Sequence, residues 1–183
     1  MVDDPHGPGA VHGAVPGSVH GAVPGWEPGA EPGSDSLPDE QLSHLLSSQR
    51  FGALATTKGS GRPHLSTVRY TWDPEQRVVR ISTVAGRLKA RHLHEDPRGA
   101  LYVASDDFWS FAVAEGLAEL SPVSTEPGDE VGRELLAMRH GFDDPAEEAT
   151  LLRRMVADQR MVIRLRVSRL YGTRLPAPTV EGR

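Results

Sequence analysis

The chain has 183 residues, no cysteine and a formal net charge of −5. That length allows one ordinary domain with extra segments, and the lack of cysteine excludes disulfides, iron–sulfur ligation and thiolate chemistry. The whole of the net charge lies in residues 1–35, which carry Asp3, Asp4, Glu27, Glu31 and Asp35 and no Lys or Arg, so residues 36–183 sum to zero; a neutral body argues against nucleic acid or a membrane surface as partner. No apolar run approaches the roughly 20 residues of a membrane span. The first residues lack a basic start followed by an apolar stretch, so a cytoplasmic location is expected.

Residues 1–35 hold 8 of the 19 glycines and 6 of the 15 prolines, and Val11–Gly17 recurs as Val19–Gly25. Such density cannot repay the entropy of ordering, so a disordered tail is expected, with His6, His12 and His20 solvated rather than metal-bound. An ordered domain is expected over 36–175 and a short tail over 176–183. Ser36-Leu37-Pro38-Asp39 reads as a capping box, and Leu42, Leu45 and Leu46 give the following helix one apolar face. Phe51–Thr57 reads as a strand, Lys58–Arg62 as a tight connection, and Pro63–Trp72 as a second strand with Leu65, Thr67 and Arg69 opposite Ser66, Val68 and Tyr70. Arg77–Val84 is a third strand, with Arg80 and Ser82 on one face and Ile81 and Thr83 on the other. A short helix over Arg87–Glu95 is stopped by Pro97, and Ala100–Ala104 and Phe108–Leu120 are strands, the latter bent at Gly116. Glu130–His140 and Ala146–Asp158 read as helices, and Met161–Tyr171 as the closing strand. Hairpin-linked strands with one interrupting helix predict a mainly β protein with flanking helices, a barrel rather than a doubly wound sheet. No Gly-x-Gly-x-x-Gly follows a strand.

The stretch Arg80–Pro97 carries the most chemistry. A strand ends in the hydroxyls of Ser82 and Thr83, turns at Gly86, and enters a helix through Arg87, Lys89 and Arg91 with no acid before Glu95. Unbonded N–H groups and the dipole at a helix start favour an anion, so the stretch suits a phosphate. Only two lysines exist in the chain, Lys58 and Lys89. His92 and His94 are two apart and face different ways on a helix, which gives no zinc site. No metal site is expected.

Three blocks in one order, Gly52–Val68, Ser82–Arg98 and Asp106–Gly116, resemble the pyridoxamine 5′-phosphate oxidase-like split β-barrel family. The likeness is strongest to its branch that binds coenzyme F420, a deazaflavin, and the closing Val162–Gly172 strand resembles that branch as well. The resemblance implies a homodimer with cofactor sites at the subunit interface and an F420-dependent oxidoreductase that moves a hydride between the deazaflavin and a small unsaturated organic substrate. It implies that Ser82, Thr83, Arg87 and Lys89 hold the coenzyme's phosphate and that Arg91 supports them or meets the acidic tail of F420. It also implies that His64, Ser66, Thr67 and Val68 run beside the ring, and that Trp109 arrives from the partner subunit. Arg69 or Tyr70 is a candidate to polarise a substrate carbonyl. FMN is the alternative cofactor. A non-enzymatic module is the other reading, holding a flavin, deazaflavin or haem, with His64, His92, His94 or His140 as an axial ligand. True pyridoxamine phosphate oxidases end in a segment rich in Trp and Arg; here Trp109 is the last tryptophan and Leu175-Pro176-Ala177-Pro178 follows the closing strand, which argues against vitamin B6 chemistry.

Overall fold

A computed structural model describes residues 36–139 and 144–175. The expected tails over 1–35 and 176–183, and His140, lie outside the described residues. Six antiparallel strands close a barrel: β1 Phe51–Thr57, β2 Pro63–Asp73, β3 Val78–Val84, β4 Arg98–Ala104, β5 Ser110–Leu120 and β6 Arg160–Arg174, in the order β1-β2-β3-β6-β5-β4. Four helices flank it: α1 Asp39–Ser48, α2 Leu88–Glu95, α3 Glu130–Ala137 and α4 Pro145–Ala157. The mainly β barrel with flanking helices is therefore the fold that the strand pattern predicts. None of the described helices is long and apolar enough to cross a membrane.

The strands form where alternate residues can enter one dry interior. Leu54, Val68, Tyr70, Val79, Ile81, Leu101, Val103, Ala112, Ala114, Ile163 and Leu165 are buried together there, joined by Leu42 and Leu46 of α1 and Leu93 of α2. Gly61, at φ 78°, turns the chain between β1 and β2, with the Lys58 N–H donating to the Arg62 carbonyl at 2.9 Å. The bend at Gly116 is a register shift in the β5–β6 ladder. A Cβ there would stand 1.8 Å from the Arg166 carbonyl oxygen, so only glycine fits.

Two boundaries differ from expectation. Ser36 does not cap α1: it bridges to Thr173 of β6, the neighbouring Leu37 N–H donates to Gly172, and Pro38 takes the cap position without a side-chain bond. The N-terminal strap is thus recruited as sheet before the helix begins. The β5 strand starts at Ser110 because Phe108 has φ 62° and the Asp107 carboxylate accepts the Trp109 N–H at 3.0 Å, which makes residues 105–109 a turn. Trp109 is a turn residue, not a strand residue.

The α3 and α4 helices pack a second apolar cluster against the outer face of β6, with Val131, Leu135, Met155 and Val162 buried. Polar bonds reinforce it. Glu134 of α3 accepts from Arg80 Nε of β3 at 3.2 Å and from Arg164 Nε of β6 at 2.8 Å, and Arg80 also reaches Asp73 at 3.0 Å. All three partners of Glu134's network are mostly shielded from water, so these bonds are worth more than surface pairs. Glu134→Gln is expected to lower the unfolding free energy by about 2 kcal/mol, read from urea denaturation; an unchanged midpoint would mean that apolar packing alone holds α3 to the barrel.

Candidate functional site

The barrel is closed unevenly. The β1–β2 ladder runs from Phe51↔Arg69 to Thr57↔Pro63, and β3–β6 from Val78↔Arg166 to Val84↔Arg160. The β2–β3 ladder covers only Asp73↔Val78 to Tyr70↔Ile81. Beyond that rung residues 63–69 keep β1 and residues 82–84 keep β6, and the edges facing each other make no ladder. The two halves of the sequence motif thus stand on the two lips of one split. His64, Ser66, Thr67 and Val68 are on the β2 lip and Ser82 and Thr83 on the β3 lip.

Alternation decides which side chain faces where. Val68 and Thr83 are buried on the inward side; Thr67 and Arg69 are exposed on the outward side. Ser82 is half-buried and its Oγ accepts from Arg160 Nη1 at 3.3 Å. Ser66 Oγ is buried and makes no hydrogen bond among the described residues. An orphaned buried hydroxyl costs about 1–3 kcal/mol, and a ligand atom in the split offers it a partner.

Helix α2 closes one end of the split. Its Ala90, His92 and Leu93 are buried, while Arg87, Arg91 and His94 are exposed. His92 Nδ1 lies 3.2 Å from Thr56 Oγ1, and the His64 and His92 rings meet edge to face at 5.1 Å. Burial first, then the charges of His92, Lys58 and Lys89, hold the His64 imidazole below the ordinary histidine value. The Arg87 N–H donates to the Val84 carbonyl and the Ala90 N–H to the Arg87 carbonyl. The N–H groups of Gly86, Leu88 and Lys89 have no such partner among the described residues. No acid lies in the first turn. Lys89 is half-buried, and burial together with Arg87 keeps its ammonium below the ordinary lysine value.

The cations of the motif divide into two sets. Arg80 is answered by Asp73 and Glu134, and Arg98 by Asp96 at 2.6 Å. Those two serve the fold. Arg69, Arg87, Lys89 and Arg91 form no ion pair among the described residues. A half-buried cation without a counter-ion is costly, and beside free N–H groups it favours a bound anion. The residues present therefore fit a phosphate-bearing cofactor: the β2 lip carries an orphaned hydroxyl, and the start of α2 carries unanswered cations and unbonded N–H groups.

Trp109 is not brought to that slot. The register sets Ala104 opposite Phe111 and Ala53 opposite Tyr102, so the β4–β5 turn lies at the Phe51 end of the barrel, whereas α2 lies at the Thr57 end. Within one chain Trp109 and Lys89 occupy opposite ends. Sequence reading also missed Arg160. Arg160 opens β6 opposite Val84, far from Ser82 in the chain, and the signal that finds it is the long-range register rather than any local motif. Among the other histidines considered as axial ligands, His92 is committed to Thr56 and His94 faces solvent. No group of three or more metal-ligating side chains comes together among the described residues.

Known structures share this architecture. A conserved hypothetical protein of Mycobacterium tuberculosis superposes with a TM-score of 0.63 at 23% identity, covering 83% of this chain and 97% of that one. A protein described as an F420 reductase superposes with a TM-score of 0.51 at 24% identity, covering 70% of this chain and 94% of its own. A protein of Mesorhizobium loti described as FAD-binding gives 0.52 at 17% identity, covering 75% and 93%. At these identities the likeness is one of fold. The family model for pyridoxamine 5′-phosphate oxidase matches residues 38–174, a span that takes in all but the first residues of the described barrel domain, and so the chain belongs to the pyridoxamine 5′-phosphate oxidase family.

Proposed function

We propose that this protein is an F420-dependent oxidoreductase that acts as a homodimer on a small unsaturated organic substrate. The observation that carries the reading is Lys89: half-buried, unpaired among the described residues, and set at a helix start whose N–H groups are free. The solved structure described as an F420 reductase, at 24% identity, supports the choice of deazaflavin.

In this reading Ser82, Arg87, Lys89 and the N–H groups of Leu88 and Lys89 hold the coenzyme's phosphate, and Arg91 stands at its solvent side. Thr83 lines the inner wall. His64, Ser66, Thr67 and Val68 form the edge along which the ring lies, with Ser66 Oγ supplying a hydrogen bond. When bound, the coenzyme supplies hydride transfer, and the protein supplies position and a dry surface. Lys89→Ala is expected to weaken F420 binding at least tenfold, about 1.4 kcal/mol, in a fluorescence titration. Running FMN in parallel decides the coenzyme: tighter FMN binding, and yellow protein from an ordinary expression host, would replace the deazaflavin with a flavin in the same slot. An unchanged affinity would remove Lys89 from the site.

Two features support the homodimer. The outward faces of β1, β2, β4 and β5 expose Phe51 at 61%, Leu65 at 67%, Tyr102 at 43% and Leu117 at 57%. Tyr102 stacks on Phe111 at 5.6 Å within that face. Scattered apolar residues need no explanation, but a connected aromatic face on one side of a sheet marks an interface. A second copy docked there also brings its own Trp109 toward the split, which one chain cannot do. Leu65→Asp is expected to shift the protein from dimer to monomer in analytical ultracentrifugation and to weaken coenzyme binding with it; a wild-type monomer that binds the coenzyme fully would overturn the shared site.

His64 gives a proton-linked readout. Its ionised form is disfavoured in the free protein, by burial and by Lys89 among others, so it stays neutral below the usual histidine range. An anion at Lys89 reverses that field and raises the imidazole's proton affinity. Binding is therefore expected to take up a fraction of a proton at about pH 6, seen as a binding enthalpy that varies with buffer ionisation heat. His64→Gln is expected to abolish this share of the uptake while coenzyme still binds.

A further inference from the structure

The turn that holds Trp109 presents a second ring. Phe108 is 74% exposed, more than any other large apolar side chain among the described residues. Its φ of 62° is left-handed, a conformation that is strained for a bulky residue and open to glycine. Three bonds hold it there nonetheless. The Phe108 N–H donates to the Ser105 carbonyl at 3.0 Å, the Ser105 N–H to the Ser110 carbonyl at 2.8 Å, and the Ser105 hydroxyl to the Asp107 carboxylate at 2.6 Å. Nothing in its own chain covers the ring. Backbone strain of this kind persists where a contact depends on it.

At the other end of the same outward face lies a hollow of about 430 Å³, lined by Ala55 of β1, Gly99 and Ala100 of β4, and Gly116 and Leu117 of β5. It is deep because the side chains there are small. Tyr102 stands outward between turn and hollow, 43% exposed. It is three residues from Gly99 and three from Ser105, roughly 10 Å each way. A two-fold axis in the plane of the face, crossing the strands at the Tyr102↔Val113 rung, therefore lays the turn of each chain on the hollow of the other. Charge agrees with that pairing. Asp106 and Asp107 of the turn form no ion pair among the described residues. Lys58 and Arg62, which flank the hollow between Thr57 and Pro63, form none either, and one acid, Glu95, lies near them beside Gly59.

We propose that Phe108 of each protomer seats in the hollow of a second copy of this chain, and that this contact sets the register of the pair. The proposal rests on the homodimer proposed above and not on which coenzyme fills the split. Pro63 lines the hollow and begins the β2 lip, so a ring seated there brings the next residue of the turn, Trp109, to the rim of the partner's split.

The chain has no cysteine, so cross-linking reads the contact directly. A full-length variant carrying both Phe108→Cys and Leu117→Cys is expected to form covalent dimers with a short bismaleimide. Either substitution alone is expected to form none. Within one chain most of β5 separates the two positions, more than about 20 Å, too far for the linker. Phe108→Gly removes the ring and relieves the left-handed strain. It is expected to weaken self-association at least tenfold in analytical ultracentrifugation, with circular dichroism showing the fold intact. A wild-type dimer that ignores Phe108→Gly, or whose doubly substituted form fails to cross-link, pairs through another surface; the seating is then wrong while the homodimer stands. A wild type that stays monomeric at every concentration overturns both. Neither measurement uses the coenzyme, so a failure here is distinct from a failure of the coenzyme to bind.

Discussion

The ladder between β2 and β3 ends at Tyr70↔Ile81, and Tyr70 is the residue that lets it end there. Its ring is buried in the barrel core, its hydroxyl donates to the Leu46 carbonyl at 2.7 Å, and its N–H donates to Arg50 at 3.1 Å. The last turn of α1, the entry to β1 and the final rung of the ladder thus meet at one residue. Burial keeps its phenol well above the ordinary tyrosine range, so it stays a neutral donor. With that corner pinned, β2 can leave β3 and follow β1 alone without losing its register, since a one-residue slip would turn Val68 and Tyr70 out of the core. The opening lies between two strands that are each held from the other side.

Charge then gives the opening its character. Arginines that stitch the fold's elements together are matched by carboxylates: Arg80 and Arg164 by Glu134 of α3, Arg166 by Glu119 of β5, and Arg77 by Asp39 of α1. The cations around the split are mostly left unmatched. A chain that is neutral over its structured part therefore presents a locally positive slot, because its acids are spent elsewhere. The polar inner lip adds hydroxyls and imidazoles that touch one another, Thr56 with His92 and His92 with His64, while the wall behind them is apolar. Affinity at the rim and a dry interior behind it are the two properties a bound redox cofactor requires of its protein.

Much of this was legible in the chain. Alternation along β2 and β3 gave the inward and outward sets correctly, from Leu65, Thr67 and Arg69 to Ile81 and Thr83, because period-2 burial is a local property. The run from Ser82 to Arg91 was legible as a strand end, a turn and a basic helix start for the same reason: its parts are contiguous. What stayed hidden depends on partners distant in sequence. Ser36 looked like a cap because nothing local says that Thr173 will take its backbone. Phe108 looked like a strand residue because Asp107's hold on the turn is a matter of side-chain geometry. Arg160 carried no motif at all; a β3–β6 register spanning nearly half the chain puts it beside Ser82.

The position of Trp109 ties the fold to its proposed assembly. In one chain the aromatic turn at residues 105–109 and the cationic start of α2 sit at opposite ends of the barrel, roughly six rungs apart or about 20 Å, too far for one ligand to touch both. Exposed apolar residues on the outward faces of β1, β2, β4 and β5, Phe51, Leu65, Tyr102 and Leu117 among them, mark the face that a second copy would cover in the proposed dimer. In the proposed dimer, a two-fold axis perpendicular to the strands would set the two barrels antiparallel. One protomer's Phe51 end would then face the other's Thr57 end, which would carry the exposed Phe108 and Trp109 of each towards the split of its partner and cover the exposed Leu65 and Tyr102. In that proposed pairing the barrel's asymmetry, polar at the α2 end and aromatic at the β4–β5 turn, is what would let two identical chains complete each other's split.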